Sequence, residues 1–430
     1  MAKTIGLVVL GVLALGFGFI GLLYMTRGSP INSVRAVGDK TGMPPISDPQ
    51  FVRVAALLAS TNLQQGNHLE ILTNGSETYP RLWEDLKGAK HSITLQMYYC
   101  NSGKMATMLK DILIERSKAG VRILFLHDAF GSSGLTKEYF DSLDAGGIQA
   151  TKFRPVKWYS LHKAQSRSHI RIVVIDGAIA YTGGFGLDDK WFGDGRHDGQ
   201  WRDTNVRFSG PAVMQHQATF VAGWAEATGQ LIAGDIFFPP AGFRQDGNQL
   251  ATAMHAAPTL GSTAAERFLA LSIASARSKL YITNSYFVPD DDFRLLLTDA
   301  AKRGVDVRVL TAGEKSDAGM VWRAGRARYE ELLEGGVKVY EYQPSMMHAK
   351  TLVVDGLWGT VGTMNFDNRS LVLNDESNLV ALDREFGAAL EKIYLDDLEY
   401  SKEMKLEEFR QRPWTGKITE RLATLLSRLM

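Results

Sequence analysis

Two histidines, each followed two residues later by a permanent cation, are the residues of this chain best suited to chemistry. His348 and Lys350 open the stretch HAKTLVVDGLWGTVGTMNFDNRSLVLNDE, and His169 and Arg171 open HIRIVVIDG. The β-leaning residues that follow predict buried strands, in which side chains two apart share a face. Histidine and cation therefore point the same way. Such a pair suits phosphate: the cation neutralises phosphoryl oxygens while the imidazole attacks phosphorus or moves a proton. Imidazole titrates at about 6.5 when unperturbed, near the working pH of both tasks. The neighbouring cations would repel Zn²⁺, so no metal and no cofactor are expected. Asp176 and Asp355 fall on the opposite strand face, before Gly, and are assigned structural roles at turns.

The spacing H-x-K-x4-D-x6-G-[ST]-x-N from His348 to Asn365 resembles the signature of the phospholipase D superfamily, and Glu376 stands where that family has an acidic residue. The stretch from His169 repeats the spacing through Asp176 to Gly183-Gly184, with two departures: Arg171 for Lys and Gly186 for Asn. Arginine keeps the charge and adds a planar fork, whereas the glycine removes an amide contact outright. The resemblance implies a two-step displacement through a phosphohistidine. His169 is assigned the attack and His348 the acid and base work, an order that the sequence alone leaves open. Arg171, Lys350, Asn365 and Thr363 would hold the phosphoryl oxygens. Asp203 is assigned to orient His169, and Glu376 to orient His348.

The elements that must position these groups are written twice. Residues 90–99 resemble 278–287, both strands ending in aromatics; a helical stretch and a strand opening on Gly-Val follow each. Gly146-Gly147-Ile148 and Gly335-Gly336-Val337 then close a helix and open another strand. Each half reads β-α-β-α-β. The expected fold is α/β: two homologous halves, each a mixed sheet flanked by helices, related by a pseudo-two-fold, plus an N-terminal transmembrane helix. Domain boundaries are expected at 1–26 (anchor), 27–66 (tether and short helix), 67–250 and 251–400 (the two halves) and 401–430 (tail). In the tail, Ile418, Leu422, Leu425, Leu426 and Leu429 recur at helical spacing, which fits a helix on a membrane or one docked on the body.

The anchor rests on Ile5 to Met25, 21 uncharged and mostly apolar positions, about the span of a bilayer core as a helix. This run is longer than that of a signal peptide. Basic residues near its ends lean toward a cytoplasmic body at the inner membrane. Hydrophobic content of 45%, charged content of 22% and a net charge of +1 fit a globular body with no global drive toward nucleic acid. Between Pro155 and His169 the first copy carries ten extra residues, among them Lys157, Trp158, Tyr159, His162, Lys163 and Arg167, which fit a headgroup entrance or a solvated loop.

The Asn284–Pro289 and Asn365–Ser370 runs, with the two motif copies and the N-terminal span, are similar to bacterial cardiolipin synthases. That likeness implies a membrane-anchored phosphatidyltransferase: phosphatidylglycerol donates its phosphatidyl group, glycerol leaves, and a second lipid alcohol accepts. The alternatives are a phospholipase that uses water, a nuclease with the same histidines, and a non-catalytic phospholipid-binding protein. Phospholipid and membrane are the expected partners, nucleic acid is not, and the oligomeric state is left open.

Overall fold

The computed structural model describes residues 2–25, 31, 33–35, 37, 42–156, 165–240, 246–259 and 261–425, without the side chains of 2, 3, 20 and 22–25. Fifteen strands form one continuous sheet. Its middle is the antiparallel contact between Gln64–Thr73 and Gln249–Ala256, paired at Gln64↔Ala251 and Asn67↔Gln249. Outward from that seam the two sides mirror each other. On the first side the order is Thr204–Ser209, Ile179–Gly183, Ile172–Ile175, Ser92–Met97, Arg122–Asp128 and Gln149–Phe153. On the second it is Glu376–Leu382, Trp358–Gly362, Lys350–Val354, Lys279–Asn284, Asp306–Ala312 and Lys338–Tyr342, with Ser401–Met404 added at the edge. The two half-sheets are thus fused edge to edge, which leaves no free edge at the seam.

Local chemistry explains the strands. Asp176 and Asp355 both take φ of 53°, a left-handed conformation that Asp tolerates better than most residues. In that pose each carboxylate caps the start of a neighbouring strand. Asp176 accepts from the backbone N–H of Lys90, His91 and Ser92, and Asp355 from those of Arg277, Ser278 and Lys279. Ile172–Ile175 and Lys350–Val354 are locked beside the strands Ser92–Met97 and Lys279–Asn284, so the first residues of each motif project from the same end of the sheet.

The helix Pro49–Ala59, capped by the Asp48 carboxylate, buries Phe51, Ala55 and Ala59 against the second half; the Phe51 ring meets the edge of Trp358 at 5.0 Å between centroids. At the other end, the helix Trp414–Thr424 docks through buried Glu420, which pairs with Arg326 and Arg412. Ile418 and Leu422 of that helix, and Leu425 just after it, stay exposed, while Leu426 and Leu429 lie outside the described residues.

The expected transmembrane anchor is not supported. Ala2–Met25 is helical, yet among the described residues no helix is long and apolar enough to cross a membrane. The single-pass anchor, the inner-membrane placement and the cytoplasmic orientation drawn from it fall with this finding.

Candidate active site

His169 and His348 line one cavity of about 230 Å³ together with Arg171, Asn365, Tyr98 and Tyr286. Larger hollows lie elsewhere on the surface, but none of them contains either histidine. Both imidazoles are buried, and each is held at both nitrogens. His348 Nδ1 meets Asp203 Oδ2 at 2.9 Å, and its Nε2 lies 3.0 Å from Lys350 Nζ. His169 Nδ1 meets the Glu376 carboxylate at 3.0 and 3.1 Å, and its Nε2 lies 3.2 Å from Arg171 Nη2. A carboxylate only accepts and a cation only donates. With both carboxylates ionised and both cations charged, each ring is neutral with its proton on Nδ1 and the Nε2 lone pair turned toward the cation, the tautomer required of a nucleophile.

The carboxylate pairing is crossed between the halves, the reverse of the assignment made from the motif copies. Asp203, of the first half, serves His348, and Glu376, of the second, serves His169. Backbone contacts enforce this. Met346 and Met347 run parallel to Trp201 and Arg202, and His348 N–H donates to the Arg202 carbonyl. Symmetrically, Ser168 bridges to Asp375, and His169 N–H donates to the Asp375 carbonyl. Each histidine is thus laid beside the residue preceding the other half's carboxylate. Ion pairs fix both junctions: Arg202 grips Asp397 through two bonds of 2.8 and 2.7 Å, and Arg154 pairs with Asp375 at 2.7 Å.

Arg171 and Lys350 hold equivalent positions. Lys350 Nζ donates to the His348 carbonyl and to Ser285 Oγ, at 2.5 and 2.7 Å. Arg171 Nη1 donates to the His169 carbonyl at 3.1 Å, and its Nε is buried with no partner among the described residues. The guanidinium thus reproduces the lysine's backbone and imidazole contacts and keeps one donor spare. One end of the Asn365 amide is likewise buried at the cavity with no partner among the described residues.

Thr363, expected among the phosphate ligands, is placed otherwise. Its hydroxyl donates to Glu376 at 2.5 Å and accepts from Ser377 N–H, so both of its roles are filled. The missing first-copy asparagine also has a structural explanation. A Cβ on Gly186 would lie 2.7 Å from the Trp191 ring, and Trp191 Nε1 donates to Asp203 at 2.8 Å. Indole fills the space that an amide side chain needs, and supplies the hydrogen bond on the carboxylate that Thr363 supplies on Glu376. Sequence reading missed Trp191 because it lies in a stretch that matches the second copy poorly. Of the insertion, 157–164 lies outside the described residues, whereas Arg167 is buried and donates to the Arg154 carbonyl.

Burial, and then the cations, shape the electrostatics. Burial, Arg171 and Lys350 hold His169 well below the usual imidazole range; burial, Lys350 and Arg171 do the same to His348. Burial pushes Lys350 down to about 7, Asp203 up to about 6 and Glu376 up to about 8. The shared cause is burial, which penalises the charged form of acid and base alike; Lys350 and Arg171 pull the two acids partly back down, and the acids pull Lys350 partly back up. A phosphodiester placed among these groups would favour the protonated imidazole and the charged lysine.

The family profile described as "Cardiolipin synthase, PLD-like domain" matches residues 82–222 and 269–398. The chain belongs to this family. Among its relatives, the cardiolipin synthase of Alkalihalophilus pseudofirmus is 34% identical over 379 residues, 88% of this chain and 75% of that protein. Cardiolipin synthase 2 of Bacillus anthracis is 36% identical over 382 residues, 88% of this chain and 74% of that protein. The phosphatidylserine synthase of Haemophilus influenzae shares the fold, with a TM-score of 0.70 at 13% identity over 89% of this chain and all of that one. The chain is an enzyme of the phospholipase D superfamily.

Proposed function

We propose that this enzyme transfers phosphatidyl groups between alcohols, with phosphatidylglycerol as donor and a second phosphatidylglycerol as acceptor, giving cardiolipin and glycerol. The reading is carried by the two neutral imidazoles on one cavity, each with a carboxylate behind it and a cation beside its free lone pair. The names of the relatives support the choice of phospholipid.

His169 Nε2 attacks phosphorus as Arg171 and Lys350 release the imidazoles and turn to the phosphoryl oxygens, joined by Asn365. The phosphorus–oxygen bond to glycerol breaks, and His348, protonated in the presence of the anionic substrate, passes its proton to the leaving oxygen. Neutral His348 then takes the proton of the incoming hydroxyl as that oxygen displaces His169. Glu376 and Asp203 support the positive charge on each ring in turn. Incubating the purified full chain with phosphatidylglycerol in detergent or vesicles and resolving the lipids tests the reading. Cardiolipin should form with wild type and not with His348→Ala. If wild type gives neither cardiolipin nor phosphatidic acid, the proposal is wrong.

A further inference from the structure

The cavity is electrically lopsided. Tyr98, edge-on to His169 at 4.9 Å and with the Arg171 guanidinium 5.7 Å from its ring centre, feels the charges of Arg369 and Arg167 as well as that of Asp128. Asp128, however, is spent on the backbone N–H groups of Phe130, Gly131 and Ser168. Tyr286, the counterpart beside His348, is faced by Asp317 and Asp367 and by Arg171. Asp367 is buried and occupied by Ser370 N–H. Asp317 differs: it lines the cavity from an exposed position, and its one hydrogen bond is the Tyr286 hydroxyl on Oδ1 at 2.8 Å. Oδ2 is left without a protein donor among the described residues. Among the described residues the first half has no equivalent of this free carboxylate oxygen at its rim.

A carboxylate at this place repels the phosphodiester, whose oxygens belong with Arg171, Lys350 and Asn365. What it can face is the alcohol portion, on the side of the imidazole that exchanges protons with alcohols. We infer that Asp317, held by Tyr286, selects the exchanged alcohol by accepting a hydrogen bond from a second donor, hydroxyl or ammonium, next to the reacting oxygen. Glycerol-type and ethanolamine-type headgroups satisfy it, a plain monoalcohol leaves its oxygen without a substrate donor, and an anionic headgroup is repelled. The inference rests on the transfer reading above and adds the acceptor class that the motifs do not encode.

The test offers purified full-length wild type and Asp317→Ala the same donor phospholipid with glycerol, ethanolamine or 1-propanol, and compares kcat/KM for each product. Hydrogen bonds to charged groups are strong enough that the wild-type preference for glycerol over 1-propanol should fall about tenfold in the variant. The ethanolamine arm separates the two donors: a loss there as large as with glycerol means that any donor suffices, and a loss with glycerol alone narrows the class to hydroxyls. Equal losses with all three alcohols would mean a structural role for Asp317 and overturn the inference. No transfer by wild type to any alcohol would overturn the inference and the function together.

Discussion

The crossed pairing makes Asp203→Asn and Glu376→Gln separable by the chemistry each disables. Asp203 is wholly buried, its Oδ2 holding His348 Nδ1 at 2.9 Å and Trp191 Nε1 at 2.8 Å, while Oδ1 holds Thr204 N–H at 2.8 Å. Asparagine must turn its NH₂ toward one of these donors in either orientation, and no longer offsets the imidazolium charge. Hydrogen bonds to charged groups contribute about 1.5–3 kcal/mol. Complete burial puts this one at the upper end, or roughly 150-fold in rate. That loss should appear wherever His348 must donate a proton. With a natural lipid, whose alkoxide cannot leave unprotonated, Asp203→Asn slows the first turnover roughly 150-fold. With a nitrophenyl phosphodiester, whose nitrophenolate leaves without a proton, the burst of nitrophenol is nearly restored. Glu376→Gln, which strips support from the attacking His169, slows the burst with both. Rapid-quench measurement reads the burst, and peptide mapping of the trapped phosphoenzyme shows which histidine carries phosphorus. If phosphorus sits on His169 and it is Asp203→Asn that abolishes the nitrophenyl burst, the crossed assignment is refuted.

Burial lowers Lys350 to about 7, so this group is charged below that pH and neutral above it. Binding of tungstate, a dianion across this range, should weaken about tenfold per unit as pH rises past 7, as calorimetry can measure; Lys350→Met should bind weakly throughout and lose the slope. Arg171→Lys should retain activity within about tenfold, because one ammonium can meet both the His169 carbonyl and Nε2 as Lys350 does for His348. Arg171→Ala should lose about 10²–10³-fold, and equal losses in both variants would show that the fork itself is needed. Gly186→Asn, which restores the family letter, should lower stability by about 1–3 kcal/mol through the clash with Trp191. An unchanged melting temperature would refute that account.

Much of this arrangement was readable from letters because the chemistry is local. His and cation at i and i+2, the Asp-Gly turns and the doubled β-α-β-α-β pattern all lie within a few tens of residues. The carboxylate partners were not, because they depend on which chain segments run side by side. Met346 beside Trp201 and Ser168 beside Asp375 are contacts across the halves, and each copy carries an acidic residue downstream of its histidine, Asp203 after His169 and Glu376 after His348, so the repeat alone fits either pairing. Thr363 was misassigned for a related reason: a motif shows that a hydroxyl is needed but not whether substrate or carboxylate receives it. Trp191 takes up the space of an absent side chain, and its contact with Asp203 requires a fold in three dimensions. The N-terminal anchor was drawn from an apolar run of letters, and among the described residues no helix is long and apolar enough to cross a membrane.

Crossing the carboxylates also has a consequence in time. Glu376 follows His169 by 207 residues. At about 5–20 residues per second, His169 waits roughly 10–40 s during synthesis before its partner exists. Throughout that interval the nascent first half carries an imidazole and a guanidinium but no acid to support a positive ring, and its own Asp203 has no histidine to serve. The emerging chain is chemically silent, and it acquires the means to cut and rejoin lipid only when the second half closes over the first.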